Sequence, residues 1–362
     1  MKYNKWIDNI SRLFIPRPSV VENKRFDMAE RISNFEDEFF IRFKMAALNQ
    51  EDFITYPNYK DYERLKDKIG NLLDVNSQNV YLSTGSGACI KSVCEMTMNP
   101  NAKLVSPVPS YPMYNIYGRL FGGKHIGVGY DNSLIYDLQK FISVVEEEKP
   151  NLVIISNPLS PIGEYKTKEE ITEIAEVCKK LGCILLIDEA YIEFADGVSM
   201  IGLINDYANV LISRTFSKAF GAAGIRLGYL IGNSELINKV TKFQLTYPLS
   251  NVTVKFGMYL LDNISIINDY VDLTINSRNN LCDMLSPKYD VINSNTNSIH
   301  FHEKTGDNSS TVDTLLSHDL AFKYGDMKTG TPVIIPGDDR KTWIRLSVGA
   351  NIEKLDFVKE II

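Results

Sequence analysis

The sequence predicts an α/β protein with one large, mostly parallel sheet. From about Val80 onward, short apolar strands alternate with amphipathic helices, which is the rhythm of βαβ units. The run CILLIDEAY stays apolar up to its acidic residue, as expected for a strand buried on both faces. At 362 residues, 44% of them hydrophobic, the chain is long enough for one large domain and a smaller companion.

Two helices are expected before the strands. Residues 34–49 carry apolar side chains at helical spacing. A second helix restarts behind Pro57, and Leu65, Ile69 and Leu72 share one of its faces. The strands are then expected, in this order, in NVYLS, KLVSP, LVIISN, CILLID, NVLISRT and LGYLIG.

The strand rhythm ends near residue 250, and a long helical stretch over residues 252–286 is expected there. We therefore predict a large domain over residues 33–252. Residues 253–362 are predicted to form a smaller α+β domain. The N-terminal arm, residues 1–32, is expected to pack on this smaller domain, because the large sheet is complete without either of these two segments.

Charge and cysteine content narrow the class of protein. With 39 Lys and Arg against 45 Asp and Glu, the formal charge of −6 disfavours nucleic acid and anionic membranes as partners and favours a small-molecule ligand. The five cysteines form no C-x-x-C pair and indicate reduced thiols. The first residues lack the apolar core of a signal peptide, and no run reaches 18 apolar residues, so a cytoplasmic location is expected.

The segment SRTFSKAFGAAGIRLGYLIG carries the strongest chemical signal. Lys218 follows a predicted strand, and a lysine fixed on a loop between strands can form an imine with an aldehyde cofactor. Ser217 and Arg226 can hold an anionic group nearby. The alternative is a surface lysine in a glycine-containing loop.

This segment resembles the lysine motif of the fold-type-I (class I and II) aminotransferases, which reads Ser-x-x-Ser-Lys with an arginine eight residues later. The matching residues are Ser213, Ser217, Lys218 and Arg226. The resemblance implies the aspartate-aminotransferase fold, with a seven-stranded large sheet, and pyridoxal 5'-phosphate bound to Lys218. It also implies a homodimer.

In that family a carboxylate after a buried strand pairs with the pyridine nitrogen of the cofactor, and Asp188 in IDEAYIEF matches it. The alternative role for Asp188 is a helix N-cap. Tyr191 and Asn157, the latter in NPLSPIGE, match the residues that reach the phenolic oxygen of the cofactor.

The phosphate of the cofactor needs N–H donors at the start of a helix, and STGSGACIKSV predicts a strand, a glycine-rich turn and a helix. The candidates there are Gly85, Ser86, Gly87 and Ala88. A tight turn between a strand and a helix also contains glycines for packing reasons alone.

Three further residues match the family by position. Tyr111 falls where an aromatic ring stacks on the cofactor, with a core tyrosine as the alternative. Tyr56 matches a Tyr-Pro of histidinol-phosphate aminotransferases, whose tyrosine reaches the phosphate of the neighbouring subunit's cofactor. Arg345, in WIRLSVGAN, matches the arginine that binds the substrate α-carboxylate through its planar fork.

The subgroup that the sequence resembles is that of the histidinol-phosphate aminotransferases, judging by DEAYIEF and RTFSKAFGAAGIRLGY. The segment LAFKYGDM replaces a Gly-Ile-x-Val-Arg and has no arginine at the expected place. The resemblance implies transfer of an amino group from glutamate or a similar donor to a small keto or aldehyde acceptor, such as imidazole acetol phosphate or dihydroxyacetone phosphate. Arg214, Arg31 and Arg25 are candidates for binding an acidic tail of the acceptor.

Two alternatives remain open at the level of sequence. A decarboxylase similar to the threonine-phosphate decarboxylases shares most of these motifs. The second alternative is not an aminotransferase or a decarboxylase: it is a cofactor-binding protein without catalytic turnover, or a metal protein built on His300 and His302. HFH has no partnered cysteine or acid at ligand spacing, which disfavours the metal.

Overall fold

A computed structural model describes residues 4–10, 24–130, 136–326, 331–333 and 343–362. Two sheets dominate it. Alternate strand residues of the larger sheet point to two apolar cores, one on each face, and helices cover both. Val153 and Ile155, for example, lie in one core, and Leu152 and Ile154 in the other.

The strands of the larger sheet are β1 (Val80–Ser83), β2 (Lys103–Val108), β3 (Lys124–Gly129), β4 (Leu152–Ser156), β5 (Ile184–Asp188), β6 (Val210–Thr215) and β7 (Gly228–Gly232). Their spatial order is β1-β7-β6-β5-β4-β2-β3. Neighbours from β3 to β6 are parallel, and only β7 runs antiparallel to its neighbours β6 and β1. The predicted mostly parallel, seven-stranded sheet is confirmed.

The helix predicted over residues 34–49 is shorter in the structure, Asp37–Ala47, and the helix predicted behind Pro57 begins at Tyr59. Local signals place helix ends, as in the helix after β4, where Thr167 and Glu170 form a capping box at the start and Gly182 adopts a left-handed conformation at the end. The helices are α1 (Asp37–Ala47), α2 (Glu51–Ile54), α3 (Tyr59–Leu73), α4 (Ser86–Thr97), α5 (Met113–Leu120), α6 (Leu138–Glu148), α7 (Lys168–Leu181), α8 (Ser234–Thr241), α9 (Asn251–Asp262), α10 (Ile264–Leu285), α11 (Ser309–Ser317) and α12 (Asp356–Ile361).

The smaller sheet is antiparallel throughout and has its own apolar core. Its strands, in chain order, are β8 (Tyr289–Ile292), β9 (Ser298–Glu303), β10 (Lys323–Asp326), β11 (Thr331–Val333) and β12 (Trp343–Ser347), and their spatial order is β11-β10-β12-β9-β8.

The stretch predicted as one long helix is two helices, α9 and α10, separated at Asn263. Ile267 of α10 lies in a core of the larger sheet, whereas Leu281 and Leu285 lie in the core of the smaller sheet. The two cores therefore share one helix. The division at residue 252 stays a proposal.

The described part of the N-terminal arm divides between the two parts of the chain. Residues 4–10 lie against α5 of the large domain, where Trp6 Nε1 donates to the carbonyl of Leu120 at 3.1 Å, so the expectation that the whole arm packs on the smaller domain is wrong for these residues. The segment around Phe26 lies on the smaller sheet. Phe26 packs in its core, its N–H donates to the carbonyl of Ala321 at 2.7 Å, and its carbonyl accepts from Ser347 N at 2.8 Å. Residues 1–3 and 11–23 of the arm lie outside the described residues. In the part of the chain that is described, no helix combines the length and the apolar character needed to cross a bilayer.

Candidate active site

Lys218 lies on the loop between β6 and β7, where its half-buried side chain reaches the N-terminal segment. The Nζ atom donates a hydrogen bond to the carbonyl oxygen of Met28 at 2.7 Å. It also lies 5.3 Å from the ring centroid of Tyr191. The structure thus brings Lys218 and Tyr191 together, and it holds the amine by a main-chain oxygen that must release it before the amine reacts.

Asp188 ends β5 and is 6% exposed. Ser213 Oγ and Tyr114 Oη donate hydrogen bonds to its two carboxylate oxygens, at 2.6 and 2.7 Å. Burial raises the pKa of the Asp188 carboxyl, and these two hydrogen bonds oppose the rise. A carboxylate with four lone-pair sites still has room to accept from a ring N–H.

The alternative role of Asp188 as a helix N-cap is wrong. The short 3-10 helix that follows β5 runs over Ile192–Phe194, and its N-cap is Tyr191. Tyr114, which sequence reasoning missed, has no local motif, because its partner lies 74 positions away in the chain.

Tyr191 is almost fully buried among positive charges. Burial by itself raises the pKa of its phenol, but the nearby charges of Lys218, Arg345 and Lys323 outweigh burial and lower the pKa below its ordinary value. Such a phenol donates readily to an oxygen that carries negative charge. The expected contact with the cofactor's phenolic oxygen stays a prediction.

Asn157 directly follows β4 and is fully buried. Its side-chain carbonyl accepts from the N–H of Lys166 at 2.8 Å, and its amide donates to the carbonyl of Lys166 at 2.9 Å. These bonds fix the orientation of the side chain. The amide has two N–H donors, and the second is the one that the predicted contact with the cofactor requires.

The start of α4 forms a cradle of main-chain atoms. Gly85 precedes the helix with φ 85°, and the first bond within the helix runs from Ala88 N to Gly85 O at 3.1 Å. The N–H groups of Ser86 and Gly87 come before that bond and point out of the helix end, where an anion is stabilised. A Cβ atom on Gly228 would lie 2.3 Å from the main chain at this turn, so β7 approaches it closely only because residue 228 is glycine.

Arg226 lies beside this cradle. Its Nη1 atom donates to the carbonyl of Ala223 at 3.1 Å and lies 3.5 Å from Ser217 Oγ. Its Nη2 atom lies 2.7 Å from the position that a Cβ atom on Gly85 would take. The guanidinium and the helix start therefore meet at one place. These residues fit the phosphate group of pyridoxal 5'-phosphate in charge and in donor chemistry.

Tyr111 stands at the same end of α4. Its hydroxyl lies 3.5 Å from where a Cβ atom on Gly87 would be. Its ring packs edge-on against Tyr114 at 5.6 Å, and 41% of the residue is exposed. The exposed ring of Tyr111 lies between the start of α4 and Tyr114, the residue that donates to Asp188. A ring in this position can stack on a planar ligand ring. The alternative of a core tyrosine is wrong.

Arg345 lies in the middle of the smaller sheet, on β12, with Nε 3.4 Å from Ser298 Oγ. Across the sheet, Lys323 of β10 and His300 of β9 stand directly opposite it in register. Sequence reasoning missed Lys323. The signal was present in LAFKYGDM, where a lysine follows three apolar residues in the segment expected to carry an arginine.

Tyr56 lies on the outside of the chain, 76% exposed, with its ring stacked on that of Tyr247 at 4.5 Å. Large apolar side chains surround it. Those more than two-thirds exposed in this region are Phe53, Ile54 and Leu245. An exposed apolar patch of this kind marks an interaction surface.

Arg214, a candidate for binding an acidic tail, is already paired. Its Nε and Nη2 atoms donate to one carboxylate oxygen of Glu189, at 3.0 and 2.9 Å, and Nη1 lies 3.5 Å from Glu193. Both Arg214 and Glu189 are buried. The structure therefore gives Arg214 a role inside the protein.

The other two candidate arginines also have partners. Arg25 lies 3.5 Å from the carboxylate of Asp27. The guanidinium of Arg31 lies over the rings of Phe35 and Tyr270, at 4.4 and 3.8 Å. The Nε atom of Arg31 donates to the carbonyl of Ser33 at 2.9 Å, whereas its buried Nη1 atom has no hydrogen-bond partner among the described residues.

The histidines of HFH have other surroundings in the described part of the chain. His302 lies 3.7 Å from a carboxylate oxygen of Asp290 and packs edge-on against Trp343. Over the described ranges, no three His, Cys, Asp or Glu side chains come together as ligands for a metal ion.

The chain is similar to known proteins in sequence and in fold. Residues 29–360 match the model of the aminotransferase class I and II family. The histidinol-phosphate aminotransferase of Clostridium novyi is 30% identical over 319 residues, which are 87% of this chain and 85% of that protein.

Solved structures show the fold. The histidinol-phosphate aminotransferase of Sinorhizobium meliloti, in complex with pyridoxal-5'-phosphate, matches with a TM-score of 0.82 and 21% identity over 99% of this chain and 96% of that chain. The L-threonine-O-3-phosphate decarboxylase of Porphyromonas gingivalis matches with a TM-score of 0.73 and 15% identity over 92% and 97%. The fold alone does not separate the two reactions, and the relative that is 30% identical is an aminotransferase by name. The chain therefore belongs to the class I and II aminotransferases and is a pyridoxal-phosphate-dependent aminotransferase with the aspartate-aminotransferase fold.

Proposed function

We propose that this enzyme transfers an amino group from glutamate, or a similar donor, to a small phosphorylated keto or aldehyde acceptor in the cytoplasm. The observation that carries the proposal is the pair of cationic side chains, Lys323 and Arg345, that stand side by side and act on Tyr191. Two cationic side chains can bind a substrate group, such as a phosphate, that carries more negative charge than one carboxylate. The name of the Clostridium novyi relative also contains a phosphorylated compound.

Bound pyridoxal 5'-phosphate supplies an electron sink for the electron pair released when the substrate Cα loses its proton. Asp188 supports that role from a buried position, because a carboxylate held by Ser213 and Tyr114 stays in place to accept the pyridine N–H. Ser86, Gly87, Ser217 and Arg226 are proposed to hold the phosphate, whereas the N–H of Ala88 already donates to the carbonyl of Gly85. Tyr111 is proposed to stack on the ring, and Asn157 and Tyr191 to reach the phenolic oxygen.

Lys218 is proposed to move the proton between the substrate Cα and the C4′ atom of the cofactor. Its half-buried position limits the water that competes for that proton. The bond to Met28 has to break first, so the N-terminal segment shifts or Lys218 turns when the cofactor binds. Arg345 is proposed to hold the donor carboxylate with two parallel hydrogen bonds.

We propose a homodimer in which Tyr56 reaches the cofactor phosphate of the neighbouring subunit. The exposed apolar patch around Tyr56 supports this arrangement, because such a patch is stabilised when a partner covers it. Co-expression of Lys218→Ala and Tyr56→Ala chains tests it. A mixed dimer has one site with both residues intact, so roughly a quarter of the wild-type sites should regain activity. No recovery above the two single variants would exclude shared sites.

The reaction is tested with the cofactor-loaded protein. We expect a visible absorbance band that disappears in Lys218→Ala, and glutamate should convert the cofactor to its aminated form with release of 2-oxoglutarate. Phosphorylated acceptors should reverse that change faster than their unphosphorylated counterparts. Carbon dioxide as the product would favour a decarboxylase. Equal rates with phosphorylated and unphosphorylated acceptors would overturn the proposal that the acceptor is phosphorylated.

A further inference from the structure

A polar cavity of about 310 Å³ borders α10, the helix that both apolar cores share. Its other walls are the segment that follows β5 and the loop between β8 and β9. None of the residues proposed to hold the cofactor or the substrate lines it. The charged residues in its walls are Arg278, Asp196 and Asp283. The cavity is therefore separate from the candidate active site, and its volume suits a small polar ligand.

Arg278 is the cation in this cavity, and it is only 3% exposed. Its Nη1 atom donates to the carbonyls of Phe194 and Thr296, at 2.9 and 3.2 Å, and its Nε atom donates to Asn279 Oδ1 at 3.3 Å. The Nη2 atom, with two N–H groups, has no hydrogen-bond partner among the described residues. Because the other donors of the guanidinium are used, Nη2 is the part of Arg278 that can meet a ligand in the cavity.

The positive charge of Arg278 is not balanced by direct contact with a carboxylate. Within the described ranges, Arg278 forms no ion pair. Burial lowers the pKa of its guanidinium, and the more distant charge of Asp196 opposes this change. A carboxylate on a ligand would supply both the acceptor and the negative charge that Arg278 Nη2 lacks.

Two exposed carboxylates complete the charge pattern of the cavity. Asp283 lies four positions after Asn279, on the same side of α10, and Asp196 comes from the segment after β5. Neither carboxylate forms an ion pair with another residue that the structure describes. The cavity thus has one positive and two negative charges. A ligand with one carboxylate and two ammonium groups matches all three.

The wall opposite α10 is held in place by contacts within the protein. The N–H of Asn295 donates to the carbonyl of Gly163 at 2.7 Å, and the N–H of Asp196 lies 3.4 Å from Asn295 Oδ1. A Cβ atom on Gly163 would lie 2.1 Å from Ser294 Oγ, so these two segments approach closely only because residue 163 is glycine. A ligand therefore meets a wall that is already formed, which lowers the entropic cost of binding.

We propose that this cavity binds an α-amino acid with a positively charged side chain. Arg278 Nη2 binds the carboxylate of the ligand, and Asp196 and Asp283 bind its two ammonium groups. The amino acid is a ligand distinct from the amino donor, because it does not occupy the place of the substrate. Its contact with Arg278 adds to the hydrogen bonds by which this side chain joins the segment after β5 to the segment before β9.

The test is calorimetric titration of the cofactor-loaded enzyme with L-lysine. The enzyme is first treated with borohydride, which removes the aldehyde that an amino acid would attack. Two analogues are compared with L-lysine: L-norleucine, which lacks the side-chain ammonium group, and cadaverine, which lacks the carboxylate. The cavity variants are Arg278→Lys and Asp283→Asn. The matched control is Asp272→Asn, which removes an exposed acid of α10 outside the cavity.

We expect L-lysine to bind at a single site per chain, and each analogue to bind about tenfold more weakly, because each loses a hydrogen bond between charged groups. Arg278→Lys and Asp283→Asn should weaken the binding of L-lysine by about tenfold for the same reason. Asp272→Asn should bind like wild type. Asp283 is exposed, so Asp283→Asn tests the site even if Arg278→Lys does not fold.

The variant Arg345→Met separates this cavity from the substrate site. It should keep the wild-type affinity for L-lysine. Binding that persists in Asp283→Asn and disappears in Arg345→Met would place the amino acid in the substrate site and overturn the proposal. Equal affinities for L-lysine and L-norleucine, or no binding of L-lysine to wild type, would overturn it as well.

Discussion

Replacement of Arg214 by methionine tests whether this buried arginine stabilises the fold or binds substrate. The guanidinium makes two hydrogen bonds to Glu189, at 3.0 and 2.9 Å, at the end of β6. Methionine keeps much of the side-chain volume but removes the charge. Glu189, which is fully buried, then loses its cation.

The cost follows from what remains around Glu189. Removal of one partner of a buried ion pair costs about 3–5 kcal/mol, because the remaining charge is left without compensation. Ser199 Oγ and the N–H of Met200 still donate to the Glu189 carboxylate. We therefore expect the free energy of unfolding to fall by about 3 kcal/mol, at the lower end of that range.

The assay is urea unfolding of the cofactor-free protein, with the KM for the phosphorylated acceptor measured separately. The double variant Arg214→Met with Glu189→Gln should lose less stability than Arg214→Met alone, because the fully buried charge of Glu189 is removed together with its cation, and only the partly buried Glu193 is left without Arg214. KM should change less than about twofold in both. A stability within 1 kcal/mol of wild type together with a tenfold higher KM would refute this reasoning and place Arg214 in the substrate site.

Two further changes probe the cofactor site. Gly228→Ala places a Cβ atom 2.3 Å from the main chain at Gly85, so the affinity for the cofactor, measured by absorbance titration, should fall about tenfold. In the control Gly224→Ala, the new Cβ atom has no other atom within 4 Å, and the affinity for the cofactor should stay unchanged. Equal affinities in the two variants would contradict the close approach of β7 to Gly85. Tyr114→Phe removes a hydrogen bond that favours the ionised Asp188, so the pKa of that carboxyl should rise further and the acid limb of kcat/KM should move to higher pH. An acid limb that stays in place would show that Tyr114 does not influence the ionisation.

The strands and the loops that follow them were predictable from the sequence because their signals are local. The apolar run before Asp188 predicts a strand buried on both faces, and the structure shows β5 between two parallel neighbours. The glycine-rich turn at Gly85 likewise predicts a helix start with free N–H groups. The break at Asn263 was not predicted, since apolar periodicity continues on both sides of it.

The sequence by itself determined the fold class and the family, because these depend on short segments in a set order, and it predicted the cofactor lysine. Only the tertiary structure decided which side chains contact one another. Tyr114 meets Asp188 across 74 positions, Arg214 is paired with Glu189, and Lys323 stands beside Arg345 on a neighbouring strand. Distance and burial set the charge of such groups, and neither is a property of local sequence, because both arise when distant segments pack together.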